Sequence, residues 1–324
     1  MSTPVAPPRP SLRIIHLSGG LRAFDIGDAD VRVGPDYGLH LLQFPTQPYA
    51  RTYAVLQDIG LEILGVDFIS HRSALVAGEP PDFQVFWPQA GFAEMACERA
   101  WSQVRHVPEQ RGPEIVDIAG RFATYLRLLN LRVRELSDAY RNCLRSKLID
   151  LDGSYKRPQD RTLFANGYLV HMEAAIHAFL ADAAGLRDLI AEAIWRLVLK
   201  EASQDVTTLA SLLRRTRSRS NAAPLLTEIH AAGADGGWLR ALTDLRNAIT
   251  HVAPLANSHE LHSTQVRLRP LRGGSAPIVH YPLTTAEGGL RPRPSPVDFE
   301  QEAILKERLE EYRGFVDTSG DALT

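Results

Sequence analysis

Arg246, Asn247 and His251 stand close together in the run Trp238-Leu-Arg-Ala-Leu-Thr-Asp-Leu-Arg-Asn-Ala-Ile-Thr-His251. If that segment is helical, Trp238, Ala241, Leu242, Leu245, Ala248, Ile249 and Val252 form one apolar stripe. Arg240, Thr243, Asp244, Asn247 and His251 then share the opposite face, with Asn247 and His251 one turn apart. Arg246 falls at the border, where a long side chain can bury its stem and deliver its guanidinium to the polar side. An imidazole acts as acid or base near neutral pH. A guanidinium offers paired donors to an anion as charge develops, and a carboxamide can orient the imidazole or bind the same anion. Together they could move a proton beside a phosphate. Each also has a plainer role: His251 as a helix C-cap, Arg246 in a surface ion pair, Asn247 in solvent.

Spacing alone says little, because all of the 36 basic residues except Lys147, Lys156, Lys200 and Lys306 are arginine. Arg99 and His106 stand nearly as close. What distinguishes the later segment is Asn directly after Arg, on an amphipathic helix that closes a helical region and ends just after His. In that combination Arg246-Asn247-x-x-x-His251 resembles the signature of the HEPN superfamily (higher eukaryotes and prokaryotes nucleotide-binding domain), over roughly residues 161–254. The resemblance implies a metal-independent endoribonuclease in which Arg246, Asn247 and His251 are catalytic. Cleaving RNA requires deprotonating a 2′-hydroxyl, protonating the leaving 5′-oxygen and stabilising charge on the phosphate, which these groups can share. It further implies single-stranded or tRNA-like RNA as partner and a homodimer in which two motifs face each other. A toxin–antitoxin or antiviral defence role would fit. Members without nuclease activity keep open an inactive binding or dimerisation module with a regulatory role.

Several other residues could support such a site. Glu173 and His177 share a helix face with Asn166 and Val170, opposite Ala165, Leu169, Met172, Ile176, Phe179 and Leu180. They could line the same cleft, or form an ordinary solvated pair one turn apart. Arg214 and Arg215, followed by Arg217 and Arg219, make a basic cluster with affinity for phosphate. No aromatics interleave, so base stacking is not indicated, and an exposed helix end explains the run equally well. Arg240 and Asp244 lie on the polar face of the motif helix. His259-Glu260-Leu261-His262 fails the zinc-protease pattern, its second histidine arriving one residue early. There is no phosphate-binding glycine loop and no Gly-x-Ser-x-Gly. No metal and no cofactor is expected.

The elements that must position these groups can be read from composition and period. The chain has 324 residues, 44% hydrophobic, with a net charge of −2. This excludes disorder throughout and an overall field that would draw the chain to DNA or a membrane. No stretch of 18 apolar residues suggests a membrane span. Cys97 and Cys143 cannot make a disulfide framework, and residues 1–10 do not read as a signal peptide, so a cytoplasmic setting is expected. The expected fold class is mainly α. A disordered tail (1–10) leads to a small α+β domain (11–95), a HEPN-like helical bundle (112–256), and a hairpin, linker and C-terminal helix (257–324). Strand-like runs occupy 11–17, 30–33, 39–44 and 82–87, with a helix over 49–64. The bundle reads as helices over 114–148, 162–184 closed by Gly185, one or two within 186–215, 222–232 and 238–252. Two strands, 265–269 and 277–281, flank Gly273-Gly274. A proline-rich stretch (291–296) precedes a charged helix (298–315).

Overall fold

The computed structural model describes residues 12–27, 30–69, 82–86, 101–104, 112–150, 153–163, 166–201, 206–219, 224–247 and 264–281. The N-terminal tail, His251 with the end of the motif helix, His259 to His262, the proline-rich stretch and the charged C-terminal helix lie outside the described residues.

Six strands form one antiparallel sheet: β1 (Leu12–Leu17), β2 (Arg22–Asp25), β3 (Asp30–Gly34), β4 (Leu42–Pro45), β5 (Ile63–Ile69) and β6 (Asp82–Val85), in the order β4-β3-β2-β1-β5-β6. Successive strand residues point to opposite faces, and both faces of β1 are covered. Arg13 reaches Tyr53 of α1 (Tyr49–Asp58) on one side, while His16 reaches Ser137 of α2 (Pro113–Leu148) on the other. This double burial explains why β5 escapes a sequence reading. Its run Ile-Leu-Gly-Val-Asp-Phe-Ile lacks alternation, so its start is absorbed into the helix expected over 49–64, which ends at Asp58.

Beyond the sheet, α2 runs antiparallel-hairpin fashion into α3 (Tyr168–Ala193), which continues as a π-helical turn, Ile194–Val198. Against α3 pack α4 (Leu209–Thr216) and α6 (Trp238–Asn247), with α5 (Pro224–Gly233) touching both. A second antiparallel sheet joins β7 (Thr162–Leu163), β8 (Gln265–Leu271) and β9 (Gly274–His280). Thr162 therefore begins a strand rather than a helix, and α3 passes through Gly185 without ending there. By length and composition residues 168–198 could cross a membrane, yet half of their most apolar window is buried within the protein, as in a core helix.

The mainly α class is corrected by these elements. About 55% of the described residues are helical and 23% lie in strands, including the six-stranded sheet, so the fold is mixed α+β. The expectation undercounted strands for a physical reason. β2 is short and buried along its whole length, β5 is covered on both faces, and β7 pairs only with β8, far away in sequence.

The sheet shares one apolar core with α2 and also meets it through charges. Arg134 donates from Nε and Nη2 to the two oxygens of Asp67, at 2.8 and 3.2 Å, and Arg22 pairs with Asp138. At one end of this seam the turn Ser18–Gly20 lies directly on the helix. A Cβ on Gly20 would stand 2.6 Å from the carbonyl oxygen of Tyr140, and Gly20 has φ +91°. A Cβ on Gly19 would strike Ile278 of β9. Both glycines are needed for sheet, long helix and hairpin to meet. Arg269 of β8 adds bonds to Ser18 and Glu62, and Arg272 N donates to Ile59 O. We expect Gly20→Ala to lower stability by about 2–4 kcal/mol in urea unfolding, from the left-handed backbone plus the backbone collision. Gly38→Ala, with open space around it, should change stability by no more than about 0.5 kcal/mol.

Candidate functional site

The motif helix α6 is held by one apolar stripe and one polar clasp. Leu239, Leu242 and Leu245 are buried while Ala241 is exposed, so the inward stripe is rotated from the expected one, which ran through Trp238 and Ala241 and left out Leu239. The turn into the helix is tight: a Cβ on Gly237 would lie 2.2 Å from the carbonyl oxygen of Ala232. Thr243 Oγ1 donates to Leu239 O and accepts from Arg187 Nη1 of α3 at 2.8 Å. The next residue on α3, Asp188, accepts from the backbone N–H of Leu209, the first residue of α4. Two adjacent side chains on α3 thus pin α6 and α4.

At the C-terminal end of α6, Arg246 is half-buried and Asn247 exposed. Arg246 Nη1 donates to Asn247 Oδ1 at 3.1 Å. Among the described residues no carboxylate pairs with this guanidinium. Arg240 and Asp244 pair with each other one turn apart, at 2.9 Å, on the exposed face. Such a surface pair contributes little to stability. His251, which would follow Asn247 by one turn, lies outside the described residues.

The other residues singled out go elsewhere. Glu173 is turned inward rather than onto a solvated face: it is 2% exposed, and its Oε1 accepts from Tyr281 OH at 3.0 Å. Its position beside the Leu169–Met172–Ile176 stripe is what draws it in. The Glu173 charge also lies near Cys143, whose thiol is pushed up to about 12, mainly by burial and further by that carboxylate. His177 is half-buried, and burial holds its imidazole below its ordinary pKa. Fourteen residues separate Glu173 from Arg187, about 20 Å along α3, so Glu173 and the Arg187–Thr243 clasp mark different levels of the bundle. Arg214 and Arg215 are exposed at the end of α4, with Arg215 over the ring of Trp195 at 5.8 Å. Among the described residues no group of three or more His, Cys, Asp and Glu side chains could hold a metal ion.

The structure also assembles a constellation that sequence spacing could not reveal. His16 Nδ1 lies 3.0 Å from Ser137 Oγ, and its Nε2 lies 3.2 Å from Asp67 Oδ2. Serine, histidine and aspartate in line suggest nucleophilic catalysis. The surroundings argue against it. All three are buried, at 2%, 0% and 1% exposure, and Ser137 sits mid-way along a packed helix. Arg134 takes up much of the Asp67 charge through two bonds, and what Asp67 still does to raise the imidazole's basicity is outweighed by burial. Burial pushes His16 down to about 4, helped by the charges of Arg22 and Arg134 and countered only in part by Asp67. A neutral imidazole accepts from Ser137 through Nδ1, while its Nε2 faces Asp67 without the alignment of a hydrogen bond. This is a fixed polar core, and the only hint of it in the sequence is the placing of Arg13 and His16 within the strand-like run 11–17, since Arg22 and Asp67 fall outside every run read as a strand.

Comparison with protein-family models, with the curated proteins and with the solved structures yields no match to this chain.

The buried imidazole makes stability depend on pH. In the unfolded chain His16 protonates near its ordinary value of 6.5, and in the folded one only near 4. The unfolded state therefore binds the extra proton within that window, and stability falls as pH drops through it, by on the order of 3 kcal/mol. Asp67 acts lower. Burial pushes its carboxyl up, but His16 and the bonds from Arg134 outweigh this and hold it below the usual carboxylate range, so its contribution is lost only in stronger acid. Urea midpoints for His16→Gln should lack most of the fall between pH 6.5 and 4 that the parent chain shows. Equal slopes in the two proteins would show that another group carries the effect.

Proposed function

We propose that this protein is a metal-independent endoribonuclease of HEPN type, with Arg246, Asn247 and His251 at its site. The observation that carries this reading is the Arg246–Asn247 hydrogen bond in the last described turn of α6, on a helix fixed by buried leucines and the Arg187 clasp. A guanidinium with no carboxylate partner among the described residues remains available to a phosphate. Asn247 holds it in place and, one turn before His251 in sequence, can also steer an imidazole. In this reading His251 moves protons between the 2′-hydroxyl, the leaving 5′-oxygen and water, while Arg246 stabilises charge on the phosphate oxygens. A single chain supplies one such histidine in the motif. The second proton-transfer group comes from a second copy, so the active form is a homodimer.

Digestion of a labelled single-stranded RNA in EDTA tests this directly. The parent chain should cleave, and Arg246→Ala and His251→Ala should each lose about 100-fold or more in rate. Asn247→Ala should lose less. Cleavage undiminished in the first two variants would remove these residues from the site. No cleavage by the parent chain at any concentration that supports dimerisation would turn the reading to a binding module.

A further inference from the structure

We infer that the C-terminal end of α4 is a docking surface for the phosphate backbone of single-stranded RNA, with Arg214 and Arg217 as its contacts. The choice of RNA rests on the ribonuclease reading above, while the surface itself rests on how α4 is built. Its N-terminus is closed by a capping box between Thr208 and Ser211 and by Asp188. Leu209, Leu212 and Thr216 face inward, and Thr216 Oγ1 meets His230 Nε2 at 2.8 Å. With that side committed, Arg214 and Arg217 project into solvent. Most arginines on α2 and α3 are bonded to carboxylates, Arg121, Arg132, Arg134 and Arg196 among them. Among the described residues neither Arg214 nor Arg217 has such a partner. Two exposed guanidinium groups, Arg214 in the last turn of α4 and Arg217 just after it, complement a polyanion.

The helix that carries Arg214 and the helix that carries Arg246 are anchored to neighbouring residues of α3. Arg187 and Asp188, adjacent on α3, hold α6 and α4 respectively. From Asp188, α4 advances alongside α3 until Arg215 meets Trp195, about 10 Å further. Arg246 is one helical turn beyond Thr243, and α5 touches both helices. Contact is with phosphates and independent of base identity.

The test uses the full chain carrying His251→Ala, so that RNA stays intact, and a fluorescein-labelled oligouridylate of about 15 nucleotides. Anisotropy is followed across a salt series. Adding Arg214→Ala and Arg217→Ala should weaken binding about tenfold and reduce the slope of log affinity against log salt by about 1.4, two phosphate contacts' worth. Arg51→Ala with Arg157→Ala removes the same charge from exposed positions elsewhere and should leave both unchanged. Equal losses in the two pairs, or no loss in the first, would overturn the surface. So would binding to phosphatidylserine vesicles with the oligouridylate left free. The two readings fail separately. Cleavage by the parent chain with binding untouched by the α4 pair removes only the surface, whereas α4-dependent binding without cleavage removes only the nuclease.

Discussion

The fold depends on a buried seam of charge between the six-stranded sheet and α2. Asp67 is the centre of that seam, held by two bonds from Arg134 and faced by His16. Arg134 also lies 3.6 Å from Asp138, which pairs with Arg22. Further along, Arg141 donates to Pro35 O and, with Arg145, reaches Asp36. Apolar faces tolerate sliding, because one leucine contact resembles another. Paired charges do not, since moving one partner leaves the other desolvated and alone, at a cost of about 3–5 kcal/mol for a buried pair. The seam therefore fixes the register of α2 over the sheet more sharply than its leucines could.

Position is then handed on from α2 to the far side of the bundle. Arg121 and Arg196 converge on Glu192, Arg132 reaches Asp182, and Arg196 also pairs with Glu114. These contacts lie along the α2–α3 interface and resist rotation of α3. From α3, Arg187 and Asp188 place α6 and α4. A displacement at the sheet would have to break several charged contacts before it reached Arg246, so the candidate site is set by a rigid chain of elements.

How much of this could be read from the sequence follows from the range over which each signal acts. The long helix α2 and the inward Leu242 and Leu245 of α6 were legible because helical period is a local property, whereas Leu239 takes the inward place expected of Ala241. Arg246 and Asn247 were legible for the same reason, being neighbours on one helix. The hairpin of β8 and β9 declared itself through Gly273-Gly274, though both strands run longer than that signal indicates. By contrast, β5 is buried on both faces and carries no alternation. Gly20 is dictated by the backbone of Tyr140, which no local pattern can anticipate. Glu173 read as solvated because its partner, Tyr281, arrives from the other end of the chain. His16, Asp67 and Ser137 meet only once the sheet and α2 have formed.

The preponderance of arginine, which composition alone could not interpret, acquires a meaning from where the side chains end up. Arginine's fork can bond a carboxylate through two nitrogens and still serve another acceptor, as Arg134 and Arg121 do at the sheet–helix and helix–helix interfaces. A lysine could supply the charge at these places but not the doubled geometry. Most of the arginine on α2 and α3 is thus spent on holding elements together and is unavailable to a ligand. Against that background an arginine without a carboxylate is informative in a way that its mere presence is not. Arg214 and Arg246, which have none among the described residues, lie on the two short helices that the Arg187–Asp188 pair secures to α3, and Arg217 directly follows the first of them.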